Sequence, residues 1–257
     1  MTYTGDLNQQ AGFTLIEIAV VLVVIALLLG GLLVPLTAQI DLQKIRETQN
    51  SLDEIREALI GYAIINGRLP CPADGTIPTG QTNSAGVAAG QEYRNPVAGS
   101  PYACANVVGN VAVGVLPWVT LGVKETDAWA RRYTYEVTAT WADSKDGTGL
   151  SSCSVVNGVS FQLCSNANLD ILSTVGGTSI AANIPAVVVS HGKNGFGAYT
   201  PNGGARLGTS RDADEAENSN GDVNFVSKPM TPTFDDIEIW VSPSILMNLM
   251  VQAGRLP

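Results

Sequence analysis

The sequence predicts an α+β fold, with one long N-terminal helix packed on an antiparallel β-sheet head. Three observations predict it. An apolar run without a charge extends from Ile18 to Leu36, a helical stripe of apolar residues continues it to Tyr62, and short β-forming segments fill the remainder. Consecutive strands after a single helix indicate an antiparallel sheet rather than alternating parallel units. Composition narrows the class further. The 257 residues carry a net charge of -9, and only 14% are charged against 45% hydrophobic. A chain this acidic repels phosphate backbones, so no nucleic-acid partner is expected. A charged share well below the roughly 25% of ordinary soluble domains suggests that part of the chain is not built for water.

The apolar run comes first. As a helix, 18–36 spans roughly 28 Å, close to the hydrocarbon thickness of a bilayer. A cleaved signal peptide needs a basic start, and the first twelve residues contain no Lys or Arg. Glu17 interrupts the pattern between Ile16 and Ile18. A carboxylate beside hydrocarbon needs a cationic partner or an interfacial position. Pro35, preceded by Gly30 and Gly31, is expected to kink the helix in its second half.

Gly12 followed by Phe13, Thr14, Leu15, Ile16 and Glu17 and then a long apolar helix resembles the processing and assembly signal of type IV pilins and type II secretion pseudopilins. The resemblance covers about the first 40 residues. It implies a leader at 1–12, cut by a prepilin peptidase between Gly12 and Phe13, and N-methylation of Phe13. It further implies a filament-core helix at 13–36, in which Glu17 pairs with the Phe13 amine of a neighbouring subunit. That amine stays positively charged after methylation, and the pair offsets a desolvation costly to either charge alone. The implied partners are other pilin or pseudopilin subunits, the peptidase, an inner-membrane assembly platform and, before assembly, the lipid bilayer. The implied location is the bacterial inner membrane as a single-pass precursor with its head in the periplasm, then the filament. The leader departs from the family in holding Asp6 and no basic residue. Lys44 and Arg46, beyond the run, argue for the opposite orientation by the positive-inside rule. The cleavage signature and the cysteines argue for export and take precedence.

The helix is expected to continue through 37–66. Leu42, Ile45, Leu52, Ile55, Leu59 and Tyr62 form its stripe, with charged and amide side chains on the other faces. Gly67 and Pro70 supply the stop. The head, 67–257, holds β-rich segments at Val111–Leu116, Tyr133–Trp141, Val155–Leu163, Ala186–Ser190 and Ile237–Val241, read as a meander. Ser242 and Pro243 open a closing helix that Gly254 ends.

Cys71, Cys104, Cys153 and Cys164 are an even set without the close pairs of a zinc site. Of three pairings, Cys71 with Cys104 and Cys153 with Cys164 are favoured because each closes a local loop. A turn at Gly158-Val159 places 153 opposite 164, whereas one at Asn157-Gly158 places 153 opposite 162, and the expected bridge selects the former.

No catalytic set is evident, so no enzyme is expected. Ser190 and His191 adjoin in sequence, but sequence neighbours rarely share triad geometry and no nucleophile-elbow motif is present. No cofactor is expected, with calcium as the one exception. Asp212, Asp214, Glu217, Asn218, Asn220 and Asp222 crowd an acidic stretch around Gly221 and have the oxygen donors calcium takes, without the EF-hand pattern. The expectation is a structural subunit, a minor pilin or pseudopilin, since the head is large for a bulk repeating unit. The alternative is a membrane-anchored binding or adhesion protein whose head recognises a substrate or surface.

Overall fold

A computed structural model describes residues 12–95, 103–142 and 158–256, and for 29–36 the backbone alone. The chain divides into two compact units, one ending at Lys44 and one beginning at Ile45.

Helix α1 runs from Leu15 to Asn66. It passes through positions 30, 31 and 35 without a break in the helical backbone. The kink expected at Gly30, Gly31 and Pro35 involves side chains outside the described residues. Gly67, at φ 71°, ends the helix, and its N–H caps Ala63 O. Only glycine suits this turn, because a Cβ would sit 1.9 Å from Gly158 O as well as in a left-handed backbone. Among the described residues no helix is long and apolar enough to cross a membrane. The side chains of 29–36, which complete the apolar run in the sequence, lie outside them.

The head is α+β, as the order of segments predicts. Strands β1 (Val107–Val108), β2 (Val111–Val115), β3 (Thr134–Thr138), β6 (Ala186–Ser190) and β8 (Ile237–Val241) form one sheet in the order β1-β2-β3-β6-β8, antiparallel at every pairing. Alternation along each strand separates two cores. Ala112, Tyr135, Val137, Ala186, Val188, Ile239 and Val241 face Leu52, Ile55 and Leu59 of α1 and Leu246 and Met250 of α5 (Pro243–Gln252). Val111, Val187 and Val189 face a second, smaller sheet. Of the predicted stripe, Leu52, Ile55 and Leu59 are buried, whereas Leu42 is exposed.

That second sheet departs from the predicted meander. Strands β4 (Leu169–Leu172), β5 (Ser179–Ile184) and β7 (Asn224–Val226) are ordered β5-β4-β7, and β4 pairs with β7 in parallel. The chain leaves the first sheet after β3 and returns to it only at β6. Two further segments are corrected. The predicted strand Tyr133–Trp141 stops at Thr138, and Ala139–Ala142 make a short helical turn, α3, whose first N–H bonds Asn110 O. Trp141 stays buried by stacking on Phe161, ring centroids 4.3 Å apart, so the apolar pattern persists without a strand. The described part of Val155–Leu163 is not a strand either. There Ser160 N–H bonds Gly67 O, and Val159 and Phe161 cover the end of α1.

Two buried arginines fix the loops that flank the first sheet. Arg132 is fully buried and donates to Gly75 O, Ile77 O and Pro201 O, to Thr79 Oγ1, and to Glu125 at 2.9 Å, with its guanidinium over the Trp118 ring. Arg68 forms a fork on Glu92, at 2.8 and 2.9 Å, beside Cys71. Burial pushes the Glu92 carboxyl up, but the Arg68 and Arg94 charges outweigh it and hold the group below the usual carboxylate range. Cys71 is bonded to Cys104, with Cα atoms 5.3 Å apart. Cys164 is disulfide-bonded as well. Cys153, its expected partner, lies outside the described residues.

Candidate functional site

The beginning of α1 carries the chemistry the sequence singled out. Residues 1–11 of the expected leader lie outside the described residues. Among the described residues, nothing lies within 4 Å of where a Gly12 Cβ would stand. Phe13 is 84% exposed and belongs to no helix.

Thr14 and Glu17 bond reciprocally. Thr14 Oγ1 accepts the Glu17 N–H at 3.3 Å, while Glu17 Oε2 accepts the Thr14 N–H at 2.8 Å and the Thr14 hydroxyl at 2.9 Å. This is a capping box, in which a Thr and a Glu three residues apart satisfy backbone donors at the start of a helix. Both hydroxyl and amide contacts fall on one oxygen of Glu17. The lone acid of the apolar segment thus has a local role in starting α1.

Leu15, Ile16, Ile18, Val20, Val21, Leu22, Val23 and Val24 are all substantially exposed, so apolar side chains point outward on every side of the helix. A helix apolar all round is stable only when lipid or other protein covers it. Ordinary amphipathic docking leaves one polar face, and 18–28 has none.

The remaining candidates separate. Ser190 Oγ donates to Asp127 Oδ2 at 2.6 Å, not to His191. His191 Nε2 lies 2.7 Å from Thr134 Oγ1, and both residues are completely buried, out of reach of a substrate. The acidic stretch is divided among three sets of contacts. Asp212 caps α4 (Ala213–Glu217), and it and Asp214 hold Lys228. Asn218 is buried, bonded through Oδ1 and Nδ2 to the Val226 backbone and through Nδ2 to Asp236. Glu217 and Asp222 accept from Asn220. Among the described residues, the acids close enough to share an ion are Glu215, Asp235 and Asp236, none of them in the expected set. An acidic pair directly before a predicted strand was the available signal for two of these. The head also has a groove of about 430 Å³ along edge strand β8, lined by Arg56, Ile60, Glu238, Trp240 and Ile245 among others.

Residues 7–33 match the model of the prokaryotic N-terminal methylation motif, the prepilin-type signal of type IV pilins and pseudopilins. Neither the comparison with curated proteins nor that with solved structures finds a match.

Proposed function

We propose that the chain is a minor subunit of a type IV pilus or a type II secretion pseudopilus. In this reading a prepilin peptidase cuts between Gly12 and Phe13 and methylates Phe13, and the freed helix joins a filament core. The observation that carries it is the N-terminal methylation motif on a helix whose described apolar residues from Leu15 to Leu28 are exposed on all sides. Before assembly, lipid covers that surface, with the precursor anchored in the inner membrane and the head outside the cytoplasm. After assembly, the same surface is covered by sister helices. Glu17 pairs there with the Phe13 amine of a neighbour, setting axial register while apolar contact supplies most of the area. The disulfide in the head suits an exported domain. The role is structural, with catalysis left to the peptidase.

The test is incorporation. The tagged full-length chain, expressed with a filament system and its peptidase, should appear in sheared filaments. Glu17→Val should be cleaved normally and remain in the membrane fraction. Equal incorporation of that variant contradicts the proposed pairing.

A further inference from the structure

The first sheet ends at β8, and among the described residues no strand pairs with its outer edge. Backbone donors and acceptors along such an edge are a template for a further strand. Along β8 the template lies inside the groove of about 430 Å³, between two walls.

Alternation along the strand divides the walls. Ile239 faces the core beneath α1, and on that side the groove is lined by Arg56 and Ile60, one helical turn apart, and by Ile245 from the first turn of α5. Glu238 and Trp240 point to the other face, in register with Val189 and Val187 of β6, and Ser227 from just beyond β7 joins them. Apolar surface is left over on both walls. Ile245 is 57% exposed, and Trp240 is half-buried.

The groove also holds an acid that the head does not fully satisfy. The Ser227 hydroxyl bonds the Glu238 carboxyl, yet Glu238 Oε2 is buried without a partner. Burial pushes this carboxyl up to about 7, the direction expected of a group that loses water without gaining a cation. Arg56, on the α1 wall, is engaged with Asp53 at 2.8 Å instead. An inward charge on an edge strand makes an uncharged strand costly to add, because the charge would be desolvated unpaired. It favours a strand that brings the opposite charge. A second copy of the chain is therefore the wrong occupant. Pairing β8 with itself would bring two Glu238 carboxylates to one face, in a chain of net charge -9.

The geometry points to the β8 groove as a docking site for an extended basic peptide, which adds a strand to the first sheet and sets a lysine or arginine beside Glu238 and an apolar side chain beside Trp240. The spacing follows from the pleat. Glu238 and Trp240 are two residues apart on one face, so the two recognised side chains are two apart as well. In the antiparallel sense found at every other pairing of this sheet, the apolar residue comes first in the peptide. Main-chain hydrogen bonds supply the affinity and the two side chains the selection. The site is independent of the filament reading.

The probe is a seven-residue peptide, acetylated and amidated, with valine third, lysine fifth, threonine elsewhere and a fluorophore for anisotropy. It is titrated with the full-length chain in non-ionic detergent at about 0.15 M salt, where the chain's overall charge is screened. The peptide should bind saturably, and its counterpart with glutamate for lysine at least about tenfold more weakly. Methylating the backbone nitrogens on one edge of the extended peptide should abolish binding and on the other edge leave it, since a single edge pairs with β8. Glu238→Gln should weaken the lysine peptide by at least about tenfold, whereas Val251→Ser, on α5 outside the groove, should bind it as the parent does. The parent titration decides on its own if a variant fails to fold. No saturable binding by the parent up to about 1 mM peptide overturns the proposal. So do equal binding of the lysine and glutamate peptides and indifference to methylation on both edges. A dimer of the chain that Ile245→Asp dissolves also overturns it, by assigning the groove to a second copy.

Discussion

Glu17 Oε2 receives both the backbone N–H and the hydroxyl of Thr14, at 2.8 and 2.9 Å. The residue assigned to hold a neighbouring subunit therefore also starts its own helix. The two roles are separable by mutation, because a glutamine keeps the capping geometry and lacks the charge.

Glu17→Gln should retain the first turn of α1, be cleaved normally, and fail to enter filaments as Glu17→Val does. Cleavage is read from the mass of the membrane form and incorporation from sheared filaments. Wild-type incorporation of the Gln variant would place the role of Glu17 in capping alone.

Thr14→Val is the converse. It removes the hydroxyl and leaves the charge, so it should cost about 1 kcal/mol of helix-start stability and fray the first turn while assembly persists. Amide exchange at Leu15 to Glu17 reports the fraying. Loss of assembly in this variant would show that the cap is what filaments require.

Arg132→Met should destabilise the head by roughly 3–5 kcal/mol, because it removes the charge paired with Glu125 and the side-chain donor to two buried carbonyls, Gly75 O and Ile77 O. Arg132→Lys should recover only part, since an ammonium cannot reproduce the fork. Urea midpoints measure both.

Reducing the bond between Cys71 and Cys104, 33 residues apart, should remove about 3–4 kcal/mol by restoring loop entropy to the unfolded chain. Unfolding with and without reductant, in the Cys71→Ser and Cys104→Ser double variant as control, isolates this bond.

Glu136 gives the head a pH dependence. It sits mid-β3 facing the second sheet, 1% exposed, with neither carboxyl oxygen bonded, and burial pushes it up to about 8. The native chain then keeps a proton that the unfolded chain gives up near 4.5. Between those values the native state binds more protons, so stability falls as pH rises, by at most about 1.4 kcal/mol per unit. Glu136→Gln should flatten this slope and be the more stable form at neutral pH. Parallel slopes for the two proteins would assign the dependence elsewhere.

How far the sequence could be read depended on whether local pattern or distant packing decided each element. The end of α1 at Asn66 was legible because Gly67 and Pro70 act locally. Strands β6 and β8 were legible because unbroken or alternating β-formers sit between punctuation. The second sheet was not: β5 reads SIAANI with mostly exposed residues, and β4 and β7 are three or four residues held by each other. Trp141 and Phe161 looked like strand residues, yet their stacking against the end of α1 fixes them in a turn and a loop. The methylation motif was legible because its residues stand at fixed offsets. The buried acids were hidden because Glu215 and the pair Asp235 and Asp236 come together only through the pairing of β6 with β8.

The most direct measurement is the mass of the amino-terminal peptide of the protein recovered from envelopes that contain a prepilin peptidase. The account predicts a chain that begins at N-methylated Phe13, and an uncut chain when Gly12 is replaced by a bulky residue. A parent protein that still carries residues 1–12 in that preparation contradicts it.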